Sequence, residues 1–173
     1  MDWYAVDKDY ITYLKGFDNK VGDVDYGDLL KPYIGVVIEV NACKYYIPVS
    51  SPKDKHNRMS NQVDFMKIFD TDGTRLLAVM NINNMIPVPD NCLTKIKYDE
   101  ISNFRSFENA NEETDYVQLL QKEKAFIDSK SAQIVKNASV LLRMYGLNPN
   151  SNLSRRCCNF PLLEEKSKEY SQE

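Results

Sequence analysis

Apolar and polar positions in this chain follow one rhythm up to about residue 110 and another beyond it. In the first stretch the apolar residues gather in short runs bounded by turn residues. Residues 2 to 6 read as a strand, and DKDYITYLKGFD as a short helix that Asp7 or Asp9 can cap and Gly16 can end. YIGVVIEV, residues 33–40, is dense in β-branched side chains, and KYYIPV follows after Asn41 and Ala42, which predicts a hairpin. VDFMKIF and RLLAVMNI form a second pair around Asp72 and Gly73, while NMIPV is a sixth short strand whose Pro87 suits an edge or terminus. Between the first helix and the hairpin, DNKVGDVDYGDLL has no sustained period and predicts a loop.

Beyond residue 110, Val117, Leu120, Ile127, Ile134, Ala138, Leu141 and Tyr145 recur at spacings near three, four and seven, the signature of one helical face. The run is long enough for two helices with a bend near Asp128 to Lys130, and Gly146 is a natural stop. NFPLLEEKSKEY predicts a terminal helix begun near Pro161. Antiparallel sheet first and helices later is the pattern of an α+β fold, here expected as one domain over residues 1–173.

Composition narrows this picture. A hydrophobic content of 43% and a charged content of 27% are ordinary for a globular protein. No apolar run approaches the roughly 18 residues that span a bilayer, and the opening MDWYAVDKDY is acidic and aromatic rather than basic then apolar, so a cytoplasmic protein without membrane contact is expected. Cys43, Cys92, Cys157 and Cys158 lack metal-ligand spacing and read as free thiols. A net charge of −3 with a pI near 5.3 argues against coating nucleic acid through the overall field, so any such contact must be local. Lys53, Lys55 and Arg58 stand together against the single acid Asp54, and Arg155 and Arg156 form a smaller cluster; a solvated loop is the plainer explanation of both.

The chain has no Gly-rich phosphate loop, HExxH, paired Cys motif or nucleophile elbow. Its one histidine, His56, rules out a two-histidine ribonuclease mechanism within the chain and is otherwise a surface loop residue or a ligand contact. The most informative segment is PVSSPKDKHNRM, residues 48–59, which follows a predicted strand and gathers hydroxyls, amines, an imidazole and a guanidinium. Ser50 and Ser51 can donate to phosphate oxygens, Pro52 restrains the turn, and Lys53 can set a compact positive charge on the same phosphate. SSPK alone is more often a plain turn.

The ordered series DYITYLKGFD, KPYIGVVIEV, KYYIPVSSPKDKH, MNINNMIPV and CNFPLLEEKSKEY resembles the ToxN/AbiQ family of type III toxins, from Tyr10 to about Tyr170. The resemblance implies a strongly twisted antiparallel sheet, a partly open barrel related to the Kid/MazF toxins, with peripheral helices. It implies a metal-independent, sequence-specific endoribonuclease without cofactors, often cutting at A-rich sites. Its partners would be cellular or phage RNA as substrate and a repeated RNA pseudoknot as antitoxin, which the toxin cuts from a precursor and binds in a closed ring.

Metal-free RNA cleavage needs the 2′-OH to attack its own adjacent phosphate, leaving a 2′,3′-cyclic phosphate and a 5′-OH. By position in the family pattern, Ser51 and Lys53 are the expected catalytic pair. Lys53 would stabilise the phosphorane and Ser51 would orient the phosphate or relay a proton. Tyr10 and Ser50 match further functional positions, with hydroxyls expected around the scissile phosphate; helix packing and turn capping are their plainer roles. Lys31 matches a phosphate-contacting lysine, and Tyr26 a tyrosine upstream of it at a spacing off by about one residue. Lys55, His56, Arg58 and Asn81 are expected RNA contacts, Asn81 being able to read a base edge. Lys55 stands before His56 where the family often has an aromatic residue. Eleven tyrosines offer rings for base stacking, although most are expected to serve core or edge packing. A non-catalytic RNA-binding module and a protein-interaction domain stay open beside the toxin reading.

Overall fold

The computed structural model describes residues 1–22 and 31–170. A strand, β1 (Asp2–Val6), leads into helix α1 (Lys8–Lys15), whose N-terminus is capped by Asp7 accepting from the backbone of Asp9 and Tyr10. Strands β2 (Tyr33–Val40) and β3 (Cys43–Ser50) form the expected hairpin. Both turn residues, Asn41 and Ala42, have positive φ, which matches the twist of the flanking strands. A single helical turn, α2 (Asp54–Arg58), precedes the second hairpin of β4 (Met66–Phe69) and β5 (Leu76–Met80), turned at Gly73 with φ 74°. Short strands β6 (Ile86–Pro87) and β7 (Leu93–Lys95) follow, then helices α3 (Ala110–Ser129), α4 (Ser131–Leu147) and α5 (Phe160–Tyr170).

The described strands form one antiparallel sheet in the order β4-β5-β3-β2-β1-β7, with β6 also paired to β3. The sheet is not closed, because β4 and β7 lie at opposite ends of that order. Helices α3 and α4 pack on its strands, and α5 on β6 and α1. The α+β expectation therefore holds, including the break between α3 and α4 at Lys130 and the terminal helix at Phe160. Three details differ. The turn α2 lies in a segment read as loop, and β7 was not expected, because three to five residues are too few to display a period. Helix α4 continues one residue past Gly146 to Leu147.

A continuous apolar cluster runs from Trp3 on β1 to Leu163 on α5. Trp3 is 2% exposed and donates its indole N–H to the Leu120 carbonyl at 3.2 Å, which fastens α3 to the sheet. Tyr10, Tyr33, Tyr45 and Tyr46 are among the largest buried side chains, and Tyr4, Tyr13, Tyr98, Tyr116, Tyr145 and Tyr170 pack partly buried against the core, in line with the expectation of core or edge packing for most tyrosines. The four cysteines are buried free thiols. Among the described residues no helix is long and apolar enough to cross a membrane.

Gly35 on β2 is a fixed point of this packing. A methyl group there would overlap the Tyr46 ring, which is itself buried edge-on against Tyr4 at 5.3 Å. Neither ring nor strand has room to yield, so Gly35→Ala is expected to cost about 3 kcal/mol, the upper end for an overpacked core. Urea denaturation checks this through a lowered midpoint with unchanged slope.

Candidate active site

Strand register assembles one end of the sheet into a site. Tyr33 pairs with Pro48, so continuing β2 backward sets Lys31 opposite Ser50. On the other side of β3, Ser50 pairs with Val79 and Val49 with Met80, and the Asn81 amide reaches the Pro48 carbonyl. Lys31, Ser50 and Asn81 thus arrive together from stretches far apart in sequence. The segment leaving β3 carries Ser51 and Lys53 directly into α2, and all of these residues line a cleft of about 560 Å³.

The mount of Lys53 is built by His56. Its ring Nδ1 accepts the Lys53 backbone N–H at 2.9 Å while its own backbone N–H donates to the Lys53 carbonyl at 2.8 Å. The imidazole is 6% exposed and tilts against the Phe65 ring with centroids 5.6 Å apart. Burial, then Lys55, Lys53 and Lys67, lower its pKa, which keeps Nδ1 a lone-pair acceptor at neutral pH. His56 is therefore no surface loop residue. It lines the cleft, but its visible work is to hold the lysine loop.

The cleft is strongly cationic in an acidic protein. Lys20, Lys31, Lys53, Lys55 and Arg105 line it, and among the described lining residues Glu123 is the lone acid. Burial pushes the Glu123 carboxyl up to about 8, so it is predominantly neutral at pH 7. Such a surface concentrates positive potential where the fold as a whole carries none. The hydroxyls of Ser50 and Ser51 hold no hydrogen bond to any described residue, which leaves them open to a ligand.

Not every expected residue arrives here. Tyr10 is fully buried on the inner face of α1, where its hydroxyl donates to the Pro87 carbonyl at 2.6 Å and its ring meets Tyr170 edge-on. It does not line the cleft, and its contacts are those of helix packing, apart from the hydroxyls expected around the scissile phosphate. Arg58 ends α2 exposed and outside the cleft. Tyr26 lies outside the described residues. Of the second basic cluster, Arg155 is exposed, while Arg156 grips the buried Asp64 through Nε and Nη2 at 3.1 and 2.9 Å, a structural pair. Conversely, Lys20, Arg105, Tyr116 and Glu123 line the cleft and were not singled out from sequence. Glu123 did carry a signal, since it falls between Leu120 and Ile127 on the apolar stripe of α3, where an acid is out of place.

A cationic, hydroxyl-lined cleft at one end of an antiparallel sheet defines an α+β protein equipped to hold a polyanion. The family model described as "Toxin ToxN, type III toxin-antitoxin system" matches residues 2–168. The chain belongs to this ToxN toxin family. Endoribonuclease ToxN of Bacillus thuringiensis subsp. kurstaki is 27% identical over 175 residues, covering 98% of this chain and 84% of that relative. Endoribonuclease AbiQ of Lactococcus lactis subsp. lactis is 30% identical over 178 residues, covering 98% and 88%. A solved structure of a type III toxin–antitoxin system, concerned with selective toxin inhibition by a non-coding RNA pseudoknot, superposes with a TM-score of 0.82 at 26% identity, covering 99% of this chain and 98% of the other.

Proposed function

We propose that this chain is a metal-independent endoribonuclease toxin of a type III toxin–antitoxin system, acting through the cleft between Lys53 and α3. The observation that carries the reading is the convergence of Lys31, Ser50, Ser51 and Lys53 on one cationic cleft in a member of the ToxN family. The ribose 2′-OH attacks the adjacent phosphorus, the P–O5′ bond breaks, and the products are a 2′,3′-cyclic phosphate and a 5′-OH. Lys53 places its ammonium against the developing phosphorane charge, and Ser51 and Ser50 orient the non-bridging oxygens or relay a proton. Lys31 and Lys55 hold flanking phosphates, and Asn81 reads a base edge. His56 positions the loop.

The sheet is taken to be an open relative of the Kid/MazF toxin barrel, the protein one domain over residues 1–173 working in the cytoplasm. Its inhibitor is taken to be a repeated RNA pseudoknot that it processes from a precursor and joins in a closed ring; the structural relative inhibited by an RNA pseudoknot supports this. The test is incubation of a long RNA with purified protein in excess EDTA, with chemical mapping of the new ends. Cyclic phosphate and 5′-OH ends are expected. Intact RNA that stays bound would turn the reading to a recognition module, and cleavage only with added metal would remove the mechanism.

A further inference from the structure

The wall of the cleft supplied by α3 is a stripe: Tyr116, Leu119, Leu120 and Glu123 stand at i, i+3, i+4 and i+7, one face of the helix. Two polar groups on this side of the cleft have no use in the cleavage roles above. Glu123 is 4% exposed, and its carboxyl has no hydrogen-bond or ion-pair partner among the described residues. Arg105 holds Glu112 through Nη2 at 2.9 Å and stacks its guanidinium on Tyr116 and Phe107 at 4.5 and 4.7 Å. Its Nε is nevertheless buried without a partner. Buried polar groups in native proteins are nearly always satisfied, so the Glu123 carboxyl, set in the cleft wall without a partner among the described residues, points to a ligand that completes it. Leu119, partly buried, adds apolar surface beside it. Apolar surface with polar groups at its border fits a flat ring with a hydrogen-bonding edge, which is the shape and chemistry of a nucleobase.

Resting on the ribonuclease reading, we propose that Glu123 reads the base of a nucleotide beside the cut, selecting one whose exocyclic amine adjoins a ring-nitrogen lone pair, adenine or cytosine. One carboxyl oxygen accepts from the amine and the protonated oxygen donates to the ring nitrogen. Uracil has no amine, and guanine sets its amine beside an N–H on its pairing edge.

The experiment is cleavage of an RNA carrying a randomised unpaired stretch by the full chain, with sequencing of every 5′-OH end. Wild type is expected to show one position enriched in adenine or cytosine by about ten-fold, the discrimination one bidentate contact supplies. Glu123→Leu flattens that position alone, to below about two-fold, while Glu123→Gln, which keeps one acceptor beside one donor, retains it. A second measurement needs no variant: the amine-free analogue of the preferred base at that position lowers wild-type cleavage by the same factor. The proposal is overturned by a wild-type profile with no such position, by an unchanged Leu profile, or by an analogue cut at the original rate. Absence of any cleavage by wild type overturns the ribonuclease reading as well and is recognised separately.

Discussion

Lys53→Ala is expected to lower the single-turnover rate constant for RNA cleavage by about 10²–10³, the usual cost of removing one preorganised electrostatic contact to a transition state. The Lys53 side chain is exposed within the cleft, and its ammonium pairs with no carboxylate among the described residues. Truncation therefore deletes the charge without stranding a buried partner. The backbone of the same residue stays clasped by His56, so the loop keeps its shape and stability shifts by no more than about 0.5 kcal/mol. The decisive signature is a fall in rate at saturating enzyme with RNA affinity changed far less, because a group that serves the phosphorane acts on the transition state rather than on binding. Lys55→Ala should show the opposite split, weaker binding with a nearly unchanged rate. Equal losses of affinity and no loss of saturated rate at Lys53 would demote it to a plain phosphate contact.

Glu123→Gln is expected to stabilise the protein, increasingly so as pH rises. A glutamate ordinarily titrates near 4.5 and this one is pushed up to about 8 by burial, so between those values the unfolded chain ionises while the folded chain does not. The raised group thus favours the native state fully below about 4.5, and this contribution is lost as pH climbs through about 8. At 1.36 kcal/mol for each pH unit, the loss between about pH 5 and pH 7.5 is on the order of 3 kcal/mol. Glutamine does not titrate, so the difference in unfolding free energy between variant and wild type should grow by that amount across the range, other groups cancelling. Parallel urea curves for the two proteins from pH 5 to pH 7.5 make the comparison; a constant offset would show that the carboxyl is ionised and solvated in the native cleft. Wild type keeps an acid that costs it stability, which is characteristic of a functional site.

Much of this architecture is readable from periodicity because its elements are long or sharply punctuated. The β2–β3 hairpin announces itself through β-branched residues and two turn positions, and the α3–α4 pair through a sustained helical stripe. What escapes is short or non-local. Strand β7 has three residues and exists because β1 offers an edge, which no local pattern encodes. The lysine–serine segment is conspicuous in sequence, yet the partners across from it are brought in by sheet register and by a helix more than fifty residues away. Tyr10 shows the converse limit: a tyrosine on a short helix looks the same whether its hydroxyl faces a ligand or the Pro87 carbonyl. Glu123 was visible as an acid inside an apolar stripe, but only the cleft says which side of the helix faces the lysines.

The pairing of β3 with both β2 and β5 has a consequence for how such a protein can diversify. Lys31, Ser50 and Asn81 are spaced by backbone hydrogen bonds, and a slip of one residue would turn their side chains to the opposite face. That half of the cleft is a fixed jaw. The opposing jaw is a helix whose cleft-lining residues belong to no strand, so they can change without altering the pairing of the sheet. On the proposed roles, α3 adds a base contact to the one that Asn81 makes from the fixed jaw, so new target preferences can be sought by redrawing α3 while the lysines and serines proposed to break the bond are left alone.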